Sequence, residues 1–473
     1  MLRKIALKVN FPRFFLYLCV FFVRLSSSLL RASSHSGIKN RTNRLLIYCF
    51  IIKKCSFTCT CVFFVVPLQR QLCACMNEII EYILRFLLYG NEAAAQQVGY
   101  TADESQWKDY RVVIVPNGHL GREIVMPELD RCAVERYAID GSSAQAPGDE
   151  TMTQWVIRTD IVYNTFFFIS RAEELINTQR DEHGRFLAKY SILGKENRLM
   201  IPTVDEYSRM LMKLLDLPLP TPSFSKIYLT HDVDSIANYR HLRGAIGGIV
   251  RGQWRKVLAS QKDIHNDPAF TFSWLIAQDK KVDGAECIYF VKDTDGKGYD
   301  YPQYDLGGKD FEVAAQLIEN SGAKMGWHGS YYGGRLKVKG ERLKAGLHRS
   351  HYLRCSIDRM QELADMGVKE DFTMMFPDHV GFRLQTTRAV RWINPKTMTL
   401  TNLVLHPLTV MDCTLSNANY MNLSEDEAYF ECQRLFEKIQ QNGGEVVILW
   451  HNSNPAGNAW HKTLYEQIIS FLQ

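Results

Sequence analysis

The first 75 residues contain no aspartate or glutamate, although they hold twelve lysines and arginines. Residues 76–473 carry 44 basic and 51 acidic side chains, so the net charge of +5 combines a basic leader with a mildly acidic body. A body with net negative charge does not attract a phosphate backbone, which excludes nucleic acid as an expected partner. Because a soluble folded segment of this length is improbable without carboxylates, we expect residues 1–75 to lie outside the fold.

The leader also has no apolar run long enough to cross a bilayer. Its longest run covers residues 14–23, whereas a spanning helix needs about 20 apolar residues. The run follows basic residues, as in a signal peptide, but no small-x-small cleavage site comes after it. We therefore expect translation to begin at Met76, whose Met-Asn-Glu-Ile-Ile-Glu opens a helical pattern. A membrane anchor formed by the leader is the alternative.

The twelve cysteines include no CxxC pair, which argues against a zinc ribbon. Seven of them precede residue 76, and the other five are scattered through the body. Scattered cysteines in odd number fit reduced thiols better than a disulfide framework. We expect a cytoplasmic protein, which is membrane-associated only if the leader is translated.

Three prolines within Leu217–Pro222 divide the body into two predicted domains. Such a segment is stiff and extended, which suits a linker. Residues 76–220 are predicted to form a smaller mixed α/β domain, with a long apolar helix over 160–176. In residues 226–473, apolar strands alternate with amphipathic helices, as in βα units. This alternation predicts an α/β fold of the (β/α)-barrel type, complete or incomplete.

Two carboxylates follow the first apolar strand of the second domain, at Asp232 and Asp234. Alternation along a strand points both side chains to the same side. Ligands bind at the carboxyl ends of strands in α/β folds, so this pair is a candidate for metal binding and base catalysis. A solvated loop edge is the alternative interpretation of a lone DxD pattern.

Other chemically capable side chains lie at the ends of later predicted strands. They are His328, Arg383, Asp412 and His451. Two acids, two histidines, an arginine and a further acid at one rim supply ligands, a base, an acid and orienting groups. That inventory predicts metal-assisted hydrolysis.

The order of these residues resembles the polysaccharide deacetylase superfamily, the NodB-homology carbohydrate esterases. Asp232-Val233-Asp234 matches a DxD form of its first motif, and Leu449-Trp450-His451 matches its closing Leu-x-His motif. The resemblance implies a distorted (β/α)7 barrel that uses a divalent metal, zinc or else cobalt or nickel, to deacetylate a carbohydrate. By the same resemblance Asp232 is the general base, Asp234 a metal ligand and His451 the general acid. Arg383 then orients the base, and Asp412 tunes His451. The alternative interpretations are that Arg383 pairs with an acid to close the barrel and that Asp412 caps a loop.

A closer resemblance, to bacterial two-domain deacetylase-like proteins with an N-terminal domain of unknown function, covers nearly all of 76–473. Five motifs occur in the same order as in those proteins. They are Thr230–Asp234, His328–Tyr331, Arg349–Arg354, Asp378–Arg383 and Trp450–Asn452.

The second motif departs from the H-[S/T]-x-x-H pattern of the superfamily, because Tyr332 stands where a second metal-binding histidine is expected. We predict that His351 supplies the missing imidazole, so that Asp234, His328 and His351 hold the metal with room for water. His348 is a fallback ligand, although we expect it to lie at the surface. A site with weakly bound metal or none is the competing interpretation. The third motif also lacks the usual Pro-Tyr after Arg383.

Two further function classes stay open beside the carbohydrate deacetylase. A binding or assembly protein that has lost its chemistry would explain the departures in the second and third motifs. A hydrolase acting on a small non-sugar amide would use the same residues. Four aromatic residues near the predicted rim are candidates for a sugar-stacking platform, or else core residues. They are Trp327, Tyr331, Tyr332 and Trp450.

Overall fold

The structure is a computed structural model that describes residues 75–129, 132–138, 153–294, 296–336 and 342–473. Residues 77–473 form one compact unit. The predictions for the leader concern residues that lie, except for Cys75, outside the described ones. A search of the described residues finds no helix with the length and apolar character needed to cross a membrane.

The N-terminal region, residues 75–220, combines a small sheet with short helices. Its elements are α1 (75–87), α2 (Glu92–Ala95), β1 (Val98–Tyr100), β2 (Val112–Ile114), β3 (Val134–Ala138), β4 (Thr153–Ile157), α3 (Ile161–Ile169), α4 (Glu173–Ile176), α5 (Ile192–Lys195) and α6 (Thr203–Leu214). The strand order is β1-β2-β4-β3, with only β3 antiparallel to its neighbour. The long helix predicted over 160–176 is wrong in one respect, because Arg171 has a φ of 63° and separates α3 from α4.

Residues 226–473 form a nine-stranded sheet with helices between its strands. The strands are β5 (Lys226–Val233), β6 (Glu286–Lys292), β7 (Lys324–Gly329), β8 (Leu343–Ser350), β9 (Glu370–Met374), β10 (Val390–Asn394), β11 (Thr399–Pro407), β12 (Val410–Met411) and β13 (Glu445–Leu449). The helices are α7 (Leu242–Val250), α8 (Trp254–Lys262), α9 (Phe272–Asp279), α10 (Lys309–Ser321), α11 (Ile357–Asp365), α12 (Asp412–Ser416), α13 (Glu425–Gln441) and α14 (Ala459–Leu472). The strand order is β10-β11-β9-β8-β7-β6-β5-β13-β12, and every pair except β10–β11 is parallel.

The sheet is curled, as shown by a single segment of chain that pairs with strands near both of its edges. β11 and β12 belong to one stretch of chain, interrupted only at Leu408 and Thr409. β11 pairs with β9, whereas β12 pairs with β13 at the other side of the sheet. The backbone N–H of Thr409 also donates to the carbonyl of Val447 at 2.8 Å. The predicted α/β class is confirmed, because strands and helices alternate along this part of the chain.

Side chains inside the curl are arranged in layers. Tyr228, Phe290 and Phe372 pack together, with ring centroids 5.2 Å apart for Tyr228–Phe372 and 5.5 Å for Phe290–Phe372. The guanidinium of Arg349 lies over Phe290, 4.7 Å from its ring centroid. Asp232 is next along the inner face and contacts Arg349. An apolar layer below and a polar layer above place the chemistry at the carboxyl ends of the strands.

The N-terminal region is joined to the sheet by buried charged side chains. Asp205 of α6 accepts hydrogen bonds from the hydroxyls of Thr386 and Thr387, each at 2.7 Å, and from Arg388 at 3.0 Å. Such charge-assisted bonds between residues about 180 positions apart fix the two parts against each other.

Candidate metal centre

Three side chains converge at the carboxyl end of the curled sheet. Asp234 follows β5, His328 lies near the end of β7, and His351 follows β8. One ligand atom from each lies within 4.8 Å of the others. Oδ1 of Asp234 is 3.4 Å from Nε2 of His328 and 3.3 Å from Nε2 of His351. The parallel register of β5, β6, β7 and β8 brings these ends together although 117 residues separate the first from the last.

The donor atoms fit a divalent cation. Oδ1 of Asp234 and Nε2 of His328 are both buried and make no hydrogen bond within the described residues. Buried polar atoms without a partner are costly, so two of them facing the same space indicate a ligand between them. The other ring nitrogens are held from behind: Nδ1 of His328 lies 3.1 Å from the carbonyl of Arg349, and Nδ1 of His351 lies 2.8 Å from Oδ1 of Asp300. This support orients both Nε2 atoms inward, as in metal sites.

The electrostatics of the three residues depend on one another. Burial raises the pKa of Asp234, but the imidazoles of His351 and His328 and the ammonium of Lys292 outweigh it, and the pKa lies well below its usual range. Burial lowers the pKa of His351, but Asp234 and Asp300 outweigh it and the pKa is raised. Without a cation, protonated imidazole therefore balances the carboxylate. A cation would replace those protons.

Asp232 lies beside this group and is held by an arginine. Its Oδ1 is 3.3 Å from Nη1 of Arg349, and its Oδ2 is 3.7 Å from Nε2 of His328. Arg349 also donates to the hydroxyl of Thr230 at 2.7 Å and to the carbonyl of Phe372 at 3.1 Å. These bonds fix the guanidinium, and through it the carboxylate.

Arg383, predicted to orient the base, lies elsewhere. Its Nη2 is 2.7 Å from Oε1 of Glu174, and its Nη1 donates to the carbonyl of Met375 at 2.8 Å. No contact with Asp232 is seen among the described residues, whereas Arg349 contacts that carboxylate. The orienting role of Arg383 stays a prediction, and its buried pair with Glu174 fits the alternative of an arginine that pairs with an acid to close the barrel.

His451 closes the other side of the site. Its Nε2 is 3.7 Å from Oδ2 of Asp234, and its Nδ1 is 2.7 Å from Oδ1 of Asp412. The sulfur of Cys413 lies 3.6 Å from the same Nδ1. Burial lowers the pKa of His451, but Cys413 and Asp412 outweigh it and the pKa lies well above its usual value. The structure thus brings Asp412 to His451, as the sequence predicts.

Two residues near the ligands were not singled out from the sequence. Lys292, at the end of β6, is buried with Nζ 4.0 Å from Oδ1 of Asp234, and burial lowers its pKa. Asp300 supports His351 and also accepts from the hydroxyl of Ser330 at 2.6 Å. Burial raises the pKa of Asp300, but the hydrogen bonds of His351 and Ser330 lower it to about 2. The only sequence signal for these two residues is their place at and just after the carboxyl end of β6.

Two other histidines near the predicted motifs point elsewhere. His348 is fully buried, so the surface position expected for it is wrong. Its Nδ1 lies 2.7 Å from Oδ2 of Asp371, and it is not part of the ligand group. His231 is part of β5, and its side chain faces the helices, where its Nε2 lies 3.0 Å from Oδ2 of Asp279. Alternation along β8 and β5 explains both placements.

Aromatic side chains form a cluster above His351. The ring centroids of Tyr352 and His351 are 4.8 Å apart, and those of Tyr299 and Tyr331 are 4.5 Å apart. His183 of the N-terminal region joins them, 5.1 Å from Tyr299. Tyr299, Tyr332 and Tyr352 are all exposed. We call Tyr299, Tyr331, Tyr332 and Tyr352 the tyrosine cluster.

The predicted stacking platform is therefore only partly placed at the rim. Tyr331 and Tyr332 belong to the tyrosine cluster. Trp327 and Trp450 are buried and serve as core residues, Trp450 against Tyr465 with centroids 5.0 Å apart. Both indoles lie on strands or strand ends where alternation turns them away from the concave face.

A family model matches residues 72–220. It is described as a family of unknown function, DUF7033, and it covers the N-terminal region. No curated protein matches the chain significantly.

Two solved structures show distant likeness. One is a putative polysaccharide deacetylase from Mycobacterium smegmatis, with 14% identity, a TM-score of 0.34 and coverage of 54% of this chain and 86% of that chain. The other is a putative polysaccharide deacetylase involved in O-antigen biosynthesis from Bordetella bronchiseptica, with 13% identity, a TM-score of 0.24 and coverage of 48% and 72%.

Proposed function

We propose that this protein is a metal-dependent hydrolase that removes acetyl groups from a carbohydrate or polysaccharide by cleaving a C–N amide bond. The observation that carries the proposal is the convergence of Asp234, His328 and His351. In this group Oδ1 of Asp234 and Nε2 of His328 are buried and make no hydrogen bond within the described part of the chain. We further propose that the curled sheet is a distorted (β/α)7 barrel, which its seven long parallel strands and the two-sided pairing of β11 and β12 support.

Asp234, His328 and His351 would hold the cation. One carboxylate oxygen and two imidazole nitrogens suit zinc, and also cobalt or nickel. When bound, such a cation supplies Lewis-acid chemistry that polarises an acyl carbonyl and acidifies a water molecule.

Asp232 is proposed as the general base. Arg349 holds one carboxylate oxygen and His328 lies near the other, so the side chain keeps one orientation beside the ligand group. A carboxylate fixed there can accept a proton from the attacking water without reorganisation.

His451 is proposed as the general acid. The pair with Asp412 fixes the ring and leaves Nε2 facing Asp234 and the space beside it. Because the pKa of His451 is raised, the ring holds a proton that it can donate to the leaving amine.

The tyrosine cluster supports a carbohydrate substrate. Exposed aromatic rings next to His351 offer flat apolar faces, which suit the CH faces of pyranose rings. The N-terminal region contributes His183 to this rim, which gives that region a role in substrate contact.

The test is release of acetate by the purified protein from a panel of N-acetylated sugars and oligosaccharides, alongside a panel of cyclic amides. Activity should be lost with a chelator and restored by zinc, cobalt or nickel. Activity only on cyclic amides would favour the small-amide hydrolase. A protein without bound metal and without chelator-sensitive activity would be a binding or assembly protein.

A further inference from the structure

A helical hairpin next to the site exposes an unusual number of apolar side chains. α7 and α8 follow β5 and carry six of the fourteen exposed large apolar residues found among the described residues. We call these six the apolar patch. They are Leu242, Ile246, Ile249, Val250, Trp254 and Leu258.

The apolar patch is a stripe and not a consequence of loose packing. In α7, residues 242, 246, 249 and 250 follow helical spacing on one face. The opposite face packs closely, since a Cβ on Gly248 would lie only 2.6 Å from Cγ2 of Val257. Val250 is 81% and Leu242 78% exposed, so the outward face of α7 meets solvent. Monomeric soluble proteins rarely expose contiguous apolar surface of this kind without a partner.

Positive charge surrounds the apolar patch. Residues 239–262 contain six lysines and arginines and no acid, within a body of net charge −7. Arg240 is paired with Asp310. Arg243, Arg251, Arg255 and Lys256 are exposed, and none of them forms an ion pair with a carboxylate within the described residues.

We propose that this hairpin docks on the surface of a bilayer that contains anionic lipid. The apolar patch would enter the boundary between headgroups and acyl chains, while Arg243, Arg251, Arg255 and Lys256 meet lipid phosphates. A tryptophan beside the basic residues suits that boundary. The charge disfavours a second copy of this chain as the occupant, because an isologous contact would bring like charges together.

The docking surface lies beside the metal centre. Nδ1 of His241, at the start of the hairpin, is 3.1 Å from the hydroxyl of Tyr301, and Arg243 lies over the same ring. Tyr301 follows Asp300, which supports His351. Resting on the proposed function, this position favours a saccharide carried at a membrane surface as the substrate.

The experiment is co-sedimentation of the full chain with vesicles of phosphatidylglycerol and phosphatidylethanolamine, compared with phosphatidylcholine alone. Replacing Ile246→Ser and Val250→Ser together should weaken binding on the order of 100-fold, about tenfold for each apolar side chain. Replacing Arg251→Gln and Arg255→Gln should weaken it roughly 25-fold, about fivefold for each cation, and reduce its salt dependence. Phe430→Ser, which removes an exposed apolar residue on α13, is the matched control and should bind as the wild type.

Hydrogen exchange locates the contact. The amides of 242–258 should gain protection when anionic vesicles are added and should not change with phosphatidylcholine vesicles. Binding unchanged in both double variants would assign any affinity to the basic leader and overturn the proposal. So would a vesicle-free dimer that dissociates in the Ile246→Ser, Val250→Ser variant while vesicles bind neither protein. Metal content and acetate release from free sugars, measured on the same preparations, report the proposed function separately and should not change.

Discussion

Replacing Glu174 by glutamine tests how the N-terminal region is held to the sheet and where Arg383 acts. Oε1 of Glu174 lies 2.7 Å from Nε of Arg171 and 2.7 Å from Nη2 of Arg383. The three side chains are 2 to 5% exposed. Removing the carboxylate would leave two buried guanidinium groups facing each other without the carboxylate that they share.

The magnitude follows from two independent considerations. Breaking a buried ion pair from one side costs about 3–5 kcal/mol. Burial raises the pKa of Glu174, but Arg171 and Arg383 lower it to about 2, which corresponds to about 3 kcal/mol of folding free energy. Because the folded-state pKa is depressed, this stability is present above the unfolded-state value near 4.5 and is lost as the pH falls toward 2.

The assay is urea denaturation at pH 7 of the wild type, Glu174→Gln, Arg383→Met and the double variant. Glu174→Gln should lose about 3 kcal/mol or more, and the cycle should show a coupling energy above about 1 kcal/mol. Glu362→Gln, which breaks the partly exposed pair with Arg359, is the control and should cost less than about 1 kcal/mol.

Arg383→Met separates a structural role from a catalytic one. We expect it to lower the free energy of unfolding while turnover per folded molecule and metal content stay unchanged. A variant of normal stability with turnover reduced more than tenfold would refute this reasoning and return Arg383 to the role predicted from the sequence. A loss below about 1 kcal/mol in Glu174→Gln would refute the buried-charge account.

Three further predictions concern the site and the sheet. Asp232→Asn and His451→Ala should each lower turnover on the order of 10²–10⁴-fold with metal retained, measured by acetate release and metal analysis; wild-type turnover in either would remove its assigned role. Arg349→Met should lower both turnover and the free energy of unfolding, since it leaves Asp232 without its buried partner; unchanged kinetics would contradict the orienting role. Burial lowers the pKa of His406, but Glu370 and Glu445 raise it to about 9, so its stabilisation is present below about pH 6.5 and lost as the pH rises toward 9. Wild-type stability should therefore fall by about 3 kcal/mol between these pH values, and His406→Gln should remove that pH dependence; an unchanged slope would contradict this.

Local sequence patterns account for the parts of the fold that local forces determine. The capping box at Ser424 and Glu427 is present and begins α13. Gly322 has a φ of 85° and ends α10, as a left-handed glycine cap does. Asp232 and Asp234 face the same side because strand β5 extends to Val233.

Other parts depend on contacts that no local pattern encodes. β8 carries Lys344 and Arg349 among its apolar residues, so it lacks the alternation of a half-buried strand. Arg349 is buried only because Asp232, 117 residues earlier, and Thr230 accept its hydrogen bonds. The apolar patch on α7 and α8 was not predicted either, since helical spacing alone indicates a buried face.

We expect Asp234, His328 and His351 to bind one divalent cation. The most direct measurement is metal content, by elemental analysis after equilibration with zinc, of the wild type, His351→Gln and His348→Gln. His348 is the matched control, a buried imidazole three residues away whose Nδ1 is bound to Asp371. We predict one equivalent of zinc in the wild type and in His348→Gln and a marked loss in His351→Gln. Equal zinc content in all three proteins, or none in the wild type, would contradict the account.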